Sequence, residues 1–226
     1  MPPGSPRYIL RAFALWLAGL LVAWSLVWGA YTLWLDGRLN DAQARLWWES
    51  WKALLWLVPM ATLAPQVTGV DAWEASGLGG GLHLRRGLAA SAAWVGASVG
   101  VAWLLGEPLA EARMDASALR LVLFVPLVEE ILFRGFVLTA LLRNGVGRGS
   151  AFLLSGLAFG AIHLPGWFVM NGVSLAVVGQ AGRVALLGVF LAWVTERRGV
   201  WPAVLVHAAN NALSVGVLAW LLSRVA

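Results

Sequence analysis

Cysteine is absent from this sequence of 226 residues, and charged residues are scarce. The absence of cysteine excludes disulfide bonds, thiolate nucleophiles and thiolate metal ligands. Asp, Glu, Lys and Arg make up 12% of the chain, about half of the roughly 25% that is typical of a soluble domain. With so few charged groups, most of the protein surface must face something other than water.

The basic residues of the chain do not gather into a stripe. Lys and Arg number 16 against 11 Asp and Glu, which gives a formal net charge of +5. They stand singly or in pairs between apolar runs, a pattern that fits loops held against anionic lipid headgroups. We therefore expect membrane lipids as partners of this protein and no nucleic acid.

Long apolar runs dominate the sequence, and none of them alternates as a strand would. Because every backbone polar group in lipid needs an internal partner, these runs predict helices. Judged against the requirement of about 20 residues per crossing, they predict an all-α, polytopic transmembrane helical bundle with about seven spans. The runs comprise residues 12–35, 51–63, 88–105, 121–142, 151–164, 185–195 (with a start nearer residue 173) and 200–222.

Prolines and glycines predict where helices end and where they touch. Pro65 and Pro165 are expected to end the second and fifth runs, and the spacing of Gly156 and Gly160 predicts a close contact between helices.

The chain is interpreted as a single membrane domain. Its residues 1–113 form helices that carry no motif, and its residues 114–226 carry the candidate site. Its short, compact form favours a multi-pass protein of a prokaryotic plasma membrane.

Two glutamates and an arginine interrupt the fourth apolar run. A charge at mid-bilayer costs about 2.5–3.5 kcal/mol on insertion scales and usually faces an interior cavity. Glu130 and Arg134 are four residues apart, so they share a helix face and can pair. Glu129 points about 100° away and remains available for chemistry. A structural ion pair that joins helices would account for Glu130 and Arg134 but not for Glu129.

Two histidines stand on other apolar runs. His163 ends the fifth run, where a lone histidine is more often structural than catalytic. His207 and Asn211 are four residues apart within the last run and share a helix face. Together with Glu129 they form a stronger set than any member alone.

This set of residue types suits the attack of an activated water on a carbonyl group. Glutamate and histidine can hold and deprotonate a water, and histidine and asparagine donors can stabilise an oxyanion. Two histidines and a carboxylate could equally bind zinc and leave a position for water. The sequence has no His-Glu-x-x-His motif, no Gly-x-Ser-x-Gly motif and no intramembrane aspartate pair. Peptide hydrolysis is the natural interpretation, with the participation of zinc left open.

Three motifs in order resemble the CaaX-protease and bacteriocin-processing (CPBP) family, which includes the type II CaaX prenyl endopeptidases. They are Glu-Glu-x-x-x-Arg at residues 129–134, Phe-x-x-x-His at residues 159–163 and His-x-x-x-Asn at residues 207–211. The resemblance covers roughly the C-terminal half of the chain. It implies a helical bundle with a catalytic cavity that opens within the membrane.

The resemblance also implies roles for the residues of these motifs. Glu129 would activate the water with help from His163, while His207 and Asn211 would bind the oxyanion or help to hold the water. The protein would then be an intramembrane endopeptidase acting on a membrane-associated peptide or protein, prenylated or not. If a zinc ion takes part, Glu129, His163 and His207 would be its ligands.

Three further residues would support these groups. Glu130 would pair with Arg134 and hold Glu129 in place, and Phe159 would pack beside His163. These roles come from the resemblance, apart from the pairing of Glu130 with Arg134, which the helical spacing itself predicts.

Two other classes of function fit part of the pattern. Intramembrane carboxylates and histidines also build proton paths, so a proton- or ion-coupled transporter is one alternative. The chain shows no paired repeats with interrupted helices, which argues against it. A catalytically silent membrane scaffold is the second alternative, and the three intact motifs argue against that.

Overall fold

The computed structural model describes residues 6–106, 108, 110, 111 and 115–222, and these residues fold into helices with no strand among them. The predicted all-α class is confirmed. The expected boundary between residues 113 and 114 lies outside the described residues. The helices are α1 (Pro6–Ala30), α2 (Asp41–Lys52), α3 (Val58–Thr68), α4 (Ala72–Ser76), α5 (Leu84–Leu105), α6 (Ala116–Glu130), α7 (Leu138–Arg143), α8 (Arg148–Ala161), α9 (Leu164–Asn171), α10 (Leu175–Arg198), α11 (Val200–Ser214) and α12 (Val217–Leu222).

Three π-helical segments extend or join these helices. Tyr31–Leu35 extends α1, Ala53–Leu57 joins α2 to α3, and Ile131–Val137 joins α6 to α7. Such wider turns are rare and occur frequently at functional sites. The third segment follows directly after Glu130 and contains Arg134, so it overlaps the Glu-Glu-x-x-x-Arg motif of residues 129–134.

Within the described residues, four helical stretches are long and apolar enough to cross a membrane. They are Arg11–Leu35, Leu84–Leu105, Arg148–Asn171 and Leu175–Arg198. The expectation of about seven spans is therefore not confirmed. The continuous helix from α6 to α7 carries two glutamates and an arginine in its middle. The last predicted run is broken between α11 and α12, where Gly216 has a φ of 76°.

Of the two predicted helix ends at proline, the one at Pro65 is wrong. Pro65 lies inside α3, which continues to Thr68. Pro165 lies in the first turn of α9, where a residue without a backbone N–H loses no helical hydrogen bond. Helix α8 ends at Ala161, shortly before Pro165, and α9 follows after a turn at Ile162 and His163.

The outer surface of the bundle is apolar. Large side chains that are more than half exposed include Leu15, Leu26, Val101, Trp103 and Leu104. Water would penalise so much exposed apolar surface, whereas lipid accepts it. The buried apolar cluster draws on both halves of the chain, with Trp24 and Trp56 from the first half and Phe159 and Leu191 from the second.

Helices α8 and α10 lie in close contact, as the spacing of Gly156 and Gly160 predicts. A Cβ atom added to Gly156 would lie 2.7 Å from the carbonyl oxygen of Ala185, and one added to Gly160 would lie 2.5 Å from that of Ala181. On the facing helix, a Cβ atom at Gly188 would meet the Cα atom of Gly156 at 2.7 Å. This contact brings Phe159 and the end of α8 against the middle of α10.

Candidate active site

Glu130 is fully buried and engaged by two partners. Its Oε1 atom accepts a hydrogen bond from Arg134 Nη1 at 3.0 Å and another from His207 Nδ1 at 2.9 Å. The predicted pairing of Glu130 with Arg134 is confirmed. The contact with His207 ties α11 to the end of α6, so Glu130 fixes two elements of the site.

Arg134 is 1% exposed and joins three helices. Besides Glu130, its guanidinium donates from Nη2 to the carbonyl oxygen of Gly188 on α10 at 3.2 Å. The guanidinium carbon lies 4.3 Å from the ring centroid of Phe159 on α8, within the range of a cation–π contact. The arginine therefore holds the π-helical segment against α8 and α10.

Glu129 is 4% exposed and is placed differently from its neighbour. Its Oε2 atom has no hydrogen-bond partner among the described residues. The Nε2 atom of His207 lies 3.8 Å away, beyond hydrogen-bond distance. A buried carboxylate oxygen without a partner is uncommon and calls for an explanation.

Glu129 lines a cavity of about 410 Å³. The structure brings all four residues predicted as catalytic to this cavity, because His163, His207 and Asn211 line it as well. The remaining wall is largely aromatic and apolar, and it includes Trp24, Trp28, Trp56, Phe159, Ile162 and Trp167. Glu129 is thus a buried carboxylate with an uncommitted oxygen at a largely apolar cavity.

His163 lies in the turn between α8 and α9, and its tautomer follows from its hydrogen bond. Its Nδ1 atom lies 2.7 Å from the carbonyl oxygen of Phe159. A carbonyl oxygen only accepts, so Nδ1 carries the proton, and the Nε2 atom of the neutral ring is left as an acceptor. The ring also packs 5.1 Å from Trp167.

Phe159 packs between the two histidines. Its ring centroid lies 5.1 Å from that of His163 and 5.4 Å from that of His207, edge to face in both cases. The packing of Phe159 beside His163 that the resemblance implied is confirmed. One aromatic ring therefore restrains both imidazoles and Arg134.

Asn211 belongs to a chain of hydrogen bonds that sequence reasoning missed. Its Nδ2 atom donates to the carbonyl oxygen of Leu121 at 2.9 Å, and its Oδ1 atom accepts from Asn210 Nδ2 at 3.3 Å. Asn210 in turn accepts from Trp94 Nε1 at 3.0 Å. The presence of a second amide on an apolar helix was the available signal for Asn210, although only Asn211 has the motif spacing.

Three other polar residues were not identified from the sequence. Lys52 and Gln180 line the cavity, and the Lys52 ammonium lies 5.4 Å from the ring centroid of Trp56. Ser155 donates to the carbonyl oxygen of Phe133 within the π-helical segment at 3.1 Å. None of the three belongs to a recognisable motif, so only the fold reveals them.

The residues proposed as zinc ligands do not form a ready metal site. Across the described parts of the chain, no group of three or more His, Asp or Glu side chains could hold a metal ion. Glu129, His163 and His207 border one cavity without converging on a point. The Nδ1 atoms of both histidines already have protein partners.

Residues 115–213 match a family model described as type II CAAX prenyl endopeptidase Rce1-like. The matched segment begins at Asp115, whose side chain caps α6, and contains all three motifs. This match supports a relationship of the segment to the CPBP family. Comparison with curated proteins and with solved structures found no match.

The family match and the four apolar helices among the described residues together indicate an integral membrane protein. The family is one of proteases, and its substrates are membrane-associated peptides. The matched segment carries its motif residues on α6 with its π-helical extension, on α8 with the following turn, and on α11.

Proposed function

We propose that the protein is an intramembrane endopeptidase in which Glu129, helped by His163, activates a water molecule for hydrolysis of a peptide bond. The observation that supports this most strongly is the Oε2 atom of Glu129, which is buried at a cavity and has no hydrogen bond to the described residues. The neighbouring Glu130 is committed to Arg134 and His207. The Oε2 atom of Glu130 also has no partner among the described residues, but Glu130 does not line the cavity. Glu129 is therefore the carboxylate that a water in the cavity can reach.

The proton movements follow from this arrangement. A water held by Glu129 and by the accepting Nε2 atom of His163 attacks the carbonyl carbon of the substrate and gives one proton to Glu129. The carbonyl oxygen becomes an oxyanion as the new C–O bond forms. When the C–N bond breaks, the leaving nitrogen takes the proton from Glu129. The products are a carboxylic acid and an amine, and the glutamate is again ionised.

In this mechanism, His207 and Asn211 stabilise the oxyanion. The hydrogen bond from His207 Nδ1 to Glu130 fixes the ring, so a protonated His207 presents an Nε2–H group at the cavity. Asn211 uses one N–H on Leu121 and has a second available. Glu130 and Arg134 act as positioning residues, since they act through His207 and the helix contacts.

The cavity suits an apolar group next to the scissile bond. Its volume lies within the roughly 300–1,000 Å³ of small-molecule sites, and its aromatic wall favours apolar side chains or a prenyl chain. We therefore propose a substrate with an apolar or prenylated residue beside the cleaved bond, in a prokaryotic plasma membrane.

Cleavage by the purified protein in liposomes tests this proposal. Two fluorogenic peptides serve as probes, one with a prenylated cysteine followed by three residues and one with the same sequence unprenylated. The wild type should cleave the prenylated peptide faster, and His163→Ala should slow cleavage about 100-fold or more. Glu74→Gln, a change at an exposed glutamate outside the cavity, is the matched control and should retain full activity.

Two results would contradict the proposal. One is normal cleavage by His163→Ala. The other is no cleavage of either peptide by a folded wild type together with a proton flux into the liposomes, which would favour the transporter alternative.

A further inference from the structure

Four arginines lie together at one end of the bundle, away from the catalytic cavity. Arg85 and Arg86 begin α5, while Arg197 and Arg198 end α10. These four, with Ala89, line a surface groove of about 500 Å³, which we call the arginine groove. The chain thus concentrates a quarter of its 16 basic residues in one place.

The arginine groove has no carboxylate partner among the described residues. Other arginines of the bundle form ion pairs, with Glu49, Glu74, Glu130 and Glu196 as their partners. Glu196 is next to the groove in sequence but pairs with Arg148 at 3.0 Å. Four adjacent like charges repel one another unless an anion neutralises them.

The contacts of these arginines within the protein are few. Arg198 Nη1 donates to the carbonyl oxygen of Arg86 at 3.1 Å, and Arg197 lies 5.0 Å over the ring of Trp193. Arg85 and Arg86 also stand in the first turn of a helix, where the macrodipole disfavours cations and the free N–H groups attract anions. Arg85 and Arg86 therefore gain nothing from the helix dipole, whereas Arg197 and Arg198 stand in the last turn of α10, where the dipole favours cations.

The arginine groove lies at the ends of two apolar helices. Both helices that form it, Leu84–Leu105 and Leu175–Arg198, are candidate membrane spans, and the arginines stand at their ends. Leu84 and Leu88 lie on α5 beside the groove arginines and are about half exposed. An apolar helix face next to a basic groove accommodates acyl chains and a headgroup together.

We infer that the arginine groove binds the phosphate of an anionic phospholipid, whose acyl chains lie along the exposed face of α5. Free inorganic phosphate offers the same chemical group. The lipid is favoured because the groove continues into an apolar, exposed helix face that free phosphate would not use. This site is separate from the catalytic cavity and does not depend on the proposed cleavage.

Lipid retention by the purified protein tests the inference. Native mass spectrometry in mild detergent measures how much phosphatidylglycerol and how much phosphatidylcholine stay bound. The groove variant replaces all four arginines with glutamine. The control variant removes the same charge at four exposed arginines outside the groove, namely Arg11, Arg38, Arg45 and Arg183.

The wild type and the control variant should retain phosphatidylglycerol in preference to phosphatidylcholine. Each groove arginine removed should weaken this retention about fivefold. A second variant, Arg85→Gln with Arg197→Gln, leaves the hydrogen bond between Arg198 and Arg86 in place and should weaken retention roughly 25-fold. This second variant still tests the inference if the variant that lacks all four arginines does not fold.

Three results would overturn the inference. The first is equal retention of phosphatidylglycerol by groove and control variants, and the second is equal retention of both lipids by the wild type. The third concerns the Tm. If millimolar inorganic phosphate raises the Tm as much as phosphatidylglycerol does, and the groove variant loses this rise, the groove binds free phosphate.

Discussion

Replacement of Arg134 by methionine should lower the stability of the protein far more than replacement of Glu129 by glutamine, because Arg134 pairs with Glu130 and not with Glu129. The change removes the partner of Glu130 and leaves a carboxylate that is 0% exposed with only His207 as a donor among the described residues. Breaking a buried ion pair from one side is strongly destabilising because the remaining charge has lost its compensation. Glu129→Gln, by contrast, changes a carboxylate whose Oε2 atom has no hydrogen-bond partner in the described part of the chain.

The contacts of Arg134 set the size of the effect. The 3.0 Å ion pair with Glu130, the 3.2 Å hydrogen bond to Gly188 and the 4.3 Å cation–π contact with Phe159 are all lost. Measured losses for one side of such a buried pair are about 3–5 kcal/mol. In a chain of this length that corresponds to a fall in Tm of roughly 6–20 °C.

Thermal unfolding in mild detergent, followed by the fluorescence of the 15 tryptophans, measures this difference. Arg134→Met should lower the Tm, while Glu129→Gln should leave it unchanged or raise it. The double variant Glu130→Gln, Arg134→Met should recover part of the loss, because both charges are then gone and the amide oxygen of the new glutamine side chain still accepts from His207. A wild-type Tm for Arg134→Met, or additive losses in the double variant, would refute the reasoning.

Three other outcomes are expected. Gly156→Ala should cost about 1–3 kcal/mol because its Cβ would press on α10, whereas Gly149→Ala in the same helix meets open space and should be neutral or stabilising, as unfolding measurements will show. Dialysis against a chelator should leave peptide cleavage intact, and a loss restored by zinc would favour the metal-dependent alternative. Phe159→Leu should lower kcat more than it raises KM in the cleavage assay, because it frees both imidazoles.

The local parts of the site could be predicted from the sequence, because helical spacing determines them. The pairing of Glu130 with Arg134 follows from a separation of four residues, and the π-helical segment does not disturb it. The close contact at Gly156 and Gly160 follows from small residues on one helix face. These features depend on residues within one or two turns, where periodicity is informative.

The long-range parts could not be predicted, because they depend on how the helices pack. The contact between His207 and Glu130 joins residues 77 positions apart. The link from Trp94 to Asn210 spans 116 positions, and no motif indicates it. The number of spans is not confirmed, because run length alone does not reveal the charges in α6 or the break at Gly216.

The central claim is that the uncommitted carboxylate of Glu129 activates the hydrolytic water. Its most direct test is the cleavage rate of Glu129→Gln in liposomes, measured beside its Tm and that of the wild type. The predicted result is a rate about 100- to 10,000-fold lower at an unchanged or higher Tm. Cleavage at the wild-type rate by a folded Glu129→Gln protein would contradict the claim.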